Sequence, residues 1–248
     1  MKRSGQSHIL AIGGGSFRPT KHQGVIEASG LLRYALDLTG QDRPKLGLVA
    51  TATGDDSPWL LKMYGAFRSW DAEVSHLSVF PMPNVDDARE WILDQDMIYV
   101  SGGSVANLMA LWRLHGLDEA FEEAWHSGVV LTGQSAGALC WHVGGNTDSF
   151  GPDLRVWAEG LALLPFSCGV HYNSEPQRRP CCSSRWPPAS CPRGTPPTRA
   201  WRCTTWGGVH PGRHRRPRRV RLPPRPRRRR ARQGVPGGTS PAHPLTSR

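Results

Sequence analysis

Up to about residue 140, short apolar runs alternate with longer stretches in which apolar and polar positions are mixed. Five runs read as strands: residues 8–12, 46–51, 73–79, 97–100 and 129–131. They are short and lean on Val, Ile and Leu, as suits strands buried on both faces. Between them the pattern predicts helices over 24–38, 57–70, 86–93, from 105 onward, and 118–125. In the helix from Val105, apolar residues recur at Leu108, Met109 and Trp112, the spacing of one buried face. Strands alternating with helices over this length predict an α/β domain with a mainly parallel sheet flanked by helices. No internal repeat is evident, and from 141 to 165 the pattern weakens into turn-forming residues.

The last strand leads into Gly133-Gln134-Ser135-Ala136-Gly137, and residues 136–141 read as the start of a helix. A serine on so sharp a strand-to-helix turn sits in a strained backbone conformation, so its neighbours must be small. The turn lifts the hydroxyl clear of the sheet and aims the first N–H groups of the helix at the same spot, where they can hold an oxyanion. The plainer reading is a tight turn whose serine caps the helix. The first strand also ends in glycines, Gly13-Gly14-Gly15. A dinucleotide fingerprint would need a third glycine where Arg18 stands, so that match fails. What survives is a loop at the carboxyl end of a parallel strand, where active sites of α/β sheets lie.

A serine nucleophile needs a base within hydrogen-bond reach and a group that orients the base. His142, seven residues beyond Ser135 on the elbow helix, would lie roughly 10 Å along the axis. His115 and His126 sit in polar company on helices and read as surface residues. His171 stands among turn residues beyond an apolar segment, either in a loop at the active edge or as a plain surface histidine. For the orienting acid, Asp148 falls in the chain order Ser…Asp…His, with Glu159 and Glu175 as rivals. Gly102 or Gly103, ending the neighbouring strand, could bring a second backbone N–H to the site.

Composition divides the chain. Residues 1–180 hold 14 Lys+Arg against 20 Asp+Glu, whereas residues 181–248 hold 17 Arg and no Lys, Asp or Glu. The net charge of +11 therefore belongs entirely to the second part, which also has 13 of the 22 prolines. A segment of that composition cannot bury enough apolar surface to offset its ordering entropy. The division is thus a domain over 1–180 and a disordered Arg/Pro-rich tail over 181–248. No two of the six cysteines have C-x-x-C spacing, which argues against a zinc site or a redox pair. The first eight residues are polar and no apolar run reaches membrane length, so the expectation is a soluble, cytoplasmic domain.

Taken together, these motifs resemble the peptidase E family of serine peptidases, typified by aspartyl dipeptidase, with cyanophycinase as a related branch. The resemblance rests on residues 133–138, on Tyr99-Val100-Ser101-Gly102-Gly103-Ser104, on Asn146-Thr147-Asp148, and on Leu163-Leu164-Pro165 leading to His171-Tyr172. It covers about residues 8–180. It implies Ser135 as nucleophile, His171 as general base, Asp148 as orienting acid, and Gly103 and Ala136 as oxyanion-hole donors. The fold it implies is the flavodoxin-like sheet of class I glutamine amidotransferases, with serine in place of cysteine. The activity it implies is hydrolysis of short peptides with N-terminal aspartate, without metal or cofactor; Arg18 is a candidate for the cation that such a side chain would require.

The tail admits two readings. Its arginines could bind nucleic acid non-specifically by counterion release, although it lacks interleaved aromatics for stacking. Alternatively it is out-of-frame translation of a GC-rich gene. A sequence coding for DEGVALHYVG, read one nucleotide late, can give residues 198–206. On that reading the domain lacks its last elements, and its stability and activity suffer.

Overall fold

The computed structural model describes residues 7–178, so the expectations for residues 181–248 lie outside the described residues. Five strands form the central sheet: β1 (Ile9–Ile12), β4 (Lys45–Val49), β5 (Glu73–Leu77), β6 (Met97–Val100) and β7 (Val130–Gln134). Their order is β1-β7-β6-β4-β5, and every neighbouring pair is parallel. The first and last of these strands in sequence thus lie side by side, with Ile12 opposite Gln134.

Side chains alternate between two cores along each strand, the period-2 pattern of a sheet covered on both faces. Leu10, Ile12, Leu46, Leu48, Met97, Tyr99 and Val130 face α1 (Gly30–Asp37) and α2 (Ser57–Phe67). Ile9, Val49, Ile98, Val100 and Leu131 face α3 (Ala88–Asp94), α4 (Val105–His115), α5 (Leu117–His126) and the short α6 (Ala136–Leu139). The four apolar positions at the start of α4 are all buried, among them Trp112, which stacks on Phe121 at 4.1 Å. Side-chain caps start three helices: Asp56 accepts from Trp59 N–H, Asp87 from Glu90 N–H and Ser104 from Asn107 N–H.

Three stretches depart from the pattern-based expectation. The helix expected from residue 24 begins at Gly30, because a hairpin, β2 (Phe17–Pro19) and β3 (Ile26–Ala28), comes first. Tertiary packing decides this: Phe17 stands edge-on to Tyr99, Phe67 and Trp59, which draws the chain across the sheet edge. The elbow helix lasts one turn and gives way to β8 (His142–Thr147). With β9 (Arg155–Trp157) and β10 (Leu164–Cys168) this strand forms a small mixed sheet in the stretch where periodicity fades. The signal fades because Gly144 and Gly145 replace apolar side chains there. A Cβ on either would lie 2.0 Å from a backbone oxygen, of Trp157 and Cys168 respectively.

Asp55, at φ 57°, joins two loops at the carboxyl end of the sheet. Its Oδ2 accepts the N–H groups of Val79 at 2.7 Å and Phe80 at 2.9 Å. Its Oδ1 is buried without a hydrogen-bond partner among the described residues. Burial pushes the carboxyl above the ordinary 3.8, against the pull of the two N–H groups. A raised folded-state value means that the folded protein holds this proton more tightly than the unfolded chain. The contribution is therefore fully present below the unfolded value and is lost as pH rises through the folded one. Asp55→Asn, which can keep both accepted bonds, should flatten that fall in urea-denaturation midpoints collected from pH 4 to 7. An unchanged slope would show that other groups cause it.

Another close backbone contact lies behind Ser135. A Cβ on Gly137 would sit 2.2 Å from the Val100 carbonyl oxygen, and one on Gly133 would sit 2.3 Å from the Gly137 oxygen. Gly137→Ala should accordingly cost about 3 kcal/mol in urea unfolding, the upper end for overpacking a tight interior. A loss below about 1 kcal/mol would show that β6 can yield.

Candidate active site

Ser135 joins β7 to α6 at φ 54° and ψ −110°, outside the regions open to most residues. Its N–H donates to Ile12 O of the adjacent β1 at 3.1 Å, and its carbonyl accepts from Ala138 and Leu139 N–H at 2.9 Å each. The conformation is held from both sides, leaving the hydroxyl clear of the sheet. Ala136 opens the one-turn helix, where N–H groups have no carbonyl partner within the helix. Gly102 lies directly against the serine: a Cβ there would be 3.2 Å from Ser135 Cβ. Gly103 takes φ 138° with its Cα pressed on Ala52, while Ser104 N–H donates to Ala52 O at 2.8 Å. The loop ending β6 thus runs beside the serine.

His171 reaches the same point from beyond β10. Its Nε2 is 2.8 Å from Ser135 Oγ. The backbone at His171 is also left-handed, φ 55°, and its N–H donates to Gly13 O at 3.2 Å. A Cβ on Gly14 would lie 3.3 Å from the ring Nδ1. The glycine run after β1 therefore makes room for a histidine rather than a dinucleotide. Gln134 anchors that loop by accepting Ser16 N–H at 2.7 Å. For Nε2 to accept the serine proton, the ring must carry its own proton on Nδ1.

The three candidate acids are separated. Glu175 is the one beside the ring: its Oε1 stands 4.0 Å from His171 Nδ1, and its N–H donates to His171 O at 2.8 Å. Asp148, expected as the orienting acid, is not brought to the ring; its Oδ2 meets Arg178 Nη2 at 3.1 Å. Glu159 pairs with Arg113 at 3.2 Å on the surface. Arg178 is 3% exposed and also donates through Nε to Glu175 Oε2 at 2.6 Å and through Nη1 to Asn146 O at 3.4 Å. A buried guanidinium costs heavily unless its donors are paired, and here two carboxylates and a carbonyl receive them.

A family model described as Peptidase family S51 matches residues 9–186. The chain belongs to peptidase family S51. That family places it among the serine-type peptidases. This S51 member is 38% identical over 172 residues to the Bacillus subtilis (strain 168) protein named Uncharacterized peptidase YgaJ, across 69% of this chain and 71% of that one. It is 27% identical over 158 residues to Peptidase E of Streptomyces coelicolor (strain ATCC BAA-471 / A3(2) / M145), across 58% of each chain. A solved structure of a peptidase from an acI-B1 actinobacterium aligns with a TM-score of 0.47 and 22% identity, over 60% of this chain and 62% of that one.

The other sequence candidates of this S51 peptidase stand apart from the serine. His142 is not on a helix but on β8, buried, with Nδ1 2.8 Å from Ala138 O. His115 and His126 are exposed. Arg18 is exposed on the β2 hairpin, in register with Glu27. Cys140 and Cys168 are buried, and burial pushes the Cys140 thiol well up, which disfavours its thiolate. No described helix is long and apolar enough to cross a membrane. No three His, Cys, Asp or Glu side chains among the described residues are grouped to hold a metal. Two residues of the site were not singled out from sequence. Arg178 had a faint signal, three residues beyond Glu175, whereas Gln134 lay unnoticed inside the elbow motif.

Proposed function

We propose that this protein hydrolyses short peptides, dipeptides with N-terminal aspartate foremost, using Ser135 as nucleophile and His171 as general base. The observation that carries the reading is the 2.8 Å contact between His171 Nε2 and Ser135 Oγ at a serine held at φ 54°. As Ser135 Oγ attacks the scissile carbonyl, His171 Nε2 takes its proton and then returns it to the leaving amine. The oxyanion of the tetrahedral intermediate is assigned to the N–H groups of Gly103 and Ala136. Support comes from Gly102 packing on the serine and from Ala136 opening the helix. Water then repeats the sequence on the acyl-enzyme.

Among the acids, Glu175 is the proposed orienting group. Its 4.0 Å separation from Nδ1 is longer than a hydrogen bond and of the kind that closes when substrate binds. Asp148, spent on Arg178, has no such position. The aspartate preference rests on the family resemblance alone. A fluorophosphonate should label Ser135 of the full chain. Ser135→Ala should abolish labelling and hydrolysis of Asp-Leu, and His171→Ala should slow labelling by at least about 1000-fold. Labelling elsewhere, or hydrolysis by Ser135→Ala, would refute the assignment.

Residues 181–248 are proposed to be out-of-frame translation that leaves this activity impaired. The family match ends at 186, close to where acidic residues vanish from the sequence. The gene should read, in the minus-one frame beyond residue 180, as an acidic, strand-like continuation. A basic, proline-rich reading in that frame too would end the idea.

A further inference from the structure

Gln134 ends β7 immediately before Ser135, and only half of its side-chain amide is engaged among the described residues. Its Oε1 accepts Ser16 N–H at 2.7 Å. A backbone N–H can only donate, so the amide meets Ser16 through its oxygen, and this bond fixes which way round the group stands. The two N–H bonds of Nε2 are left over, and no described residue receives them. The side chain is half-buried at the carboxyl end of the sheet, where open α/β sheets bind ligands. Its anchor is firm: Ser16 is fully buried, its carbonyl accepts Ser29 N–H at 2.8 Å, and Phe17 beside it stands edge-on to Tyr99 at 5.4 Å. The same short loop touches the histidine. Two residues before Ser16, a Cβ on Gly14 would lie 3.3 Å from His171 Nδ1, and Gly13 O accepts His171 N–H. One end of the loop therefore borders His171, whose Nε2 meets Ser135 Oγ, and the other end holds the Gln134 amide.

We propose that Gln134 is a specificity-determining residue, whose Nε2 donates to a carboxylate on the side chain of the substrate residue that Ser135 attacks. This role presupposes the peptidase reading above and gives its N-terminal aspartate a partner. With Oε1 committed to Ser16, the amide offers donors and no acceptor. It takes a carboxylate or carboxamide oxygen and gives nothing to an ammonium group. Because Gln134 and Ser135 are adjacent in the chain, the amide lies beside the acyl group rather than beside a remote part of a longer peptide. Arg18, the sequence candidate for this task, is exposed on the hairpin and in register with Glu27. A neutral donor also leaves no unpaired buried charge behind when the site holds no substrate. The terminal carboxylate of the leaving residue has the same chemistry, so the test must separate the two.

Gln134→Glu keeps an acceptor for Ser16 N–H and puts a charged acceptor where the donor was. In the full chain it should lower kcat/KM for Asp-Leu at least about tenfold, the worth of one hydrogen bond to a charged group, while Ala-Leu changes less than about threefold. Diaminopropionyl-Leu, with an ammonium in place of the carboxylate, should gain on Asp-Leu in the same variant. Equal losses on Asp-Leu and Ala-Leu would reduce Gln134 to a loop anchor and overturn the proposal. Asp-leucinamide, which lacks the terminal carboxylate, should lose as much as Asp-Leu does. If it loses nothing, the contact belongs to the leaving residue and the proposal is likewise wrong. A second readout needs no turnover. In Ser135→Ala, which leaves the dipeptide intact, the side-chain NH2 signal of Gln134 is assigned by its absence when Gln134→Glu is added. That signal should shift with Asp-Leu and stay in place with Ala-Leu; equal shifts, or none with millimolar Asp-Leu, would refute the contact. If the native chain cleaves no dipeptide, the hydrolase reading fails while this signal still decides what Gln134 binds.

Discussion

The site depends on how closely three backbones approach behind Ser135. The end of β6, the end of β7 and the single turn of α6 meet where Val100 O, Gly133 and Gly137 leave no room for a Cβ. Because β7 lies between β1 and β6, this contact sits inside the sheet rather than at an edge. Rigidity there is what allows a serine to stay at φ 54°, a conformation costing on the order of 1–3 kcal/mol that only an over-determined surrounding can hold.

The histidine is held by a different part of the chain but against the same sheet. β1 pairs with β7, so Ile12 O reaches Ser135 N–H, and one residue further on Gly13 O receives His171 N–H. A single strand end thus sets the spacing of both members of the pair. The small mixed sheet supports this from the other side, its β10 delivering the chain to Val170 and His171 while Cys168 and Val170 join the main core. Beyond it, Arg178 connects β8 to the turn that carries Glu175. In this peptidase of family S51, Ser135 thus stands on the sheet and His171 on a loop tied to it through Gly13 O and Ser135 Oγ.

Much was legible from residue order. The five strands and the helices after the second strand follow from period-2 and period-3.6 apolar patterns, because both faces of the sheet and one face of each helix must be buried. Ser135 was legible because few chemistries require small residues on both sides of a serine between a strand and a helix. The hairpin around Phe17 was not, since its placement depends on aromatic contacts with Tyr99 and Phe67 far along the chain. Nor was the small sheet, whose glycines pack backbone on backbone and leave no hydrophobic rhythm to detect.

By itself, then, the sequence determined the parallel α/β framework, the strand-to-helix turn at Ser135 and the identity of the histidine as a candidate. Those follow from local rules of burial and turn sterics. Only the tertiary structure decided which nitrogen of His171 meets Ser135, which acid stands behind the ring, and that Asp148 belongs to Arg178. The first and the last are matters of side-chain direction across 30 or more residues of chain, and the second of how two side chains four residues apart are turned. Residue order along the chain carries no record of where a carboxylate points once the fold has closed.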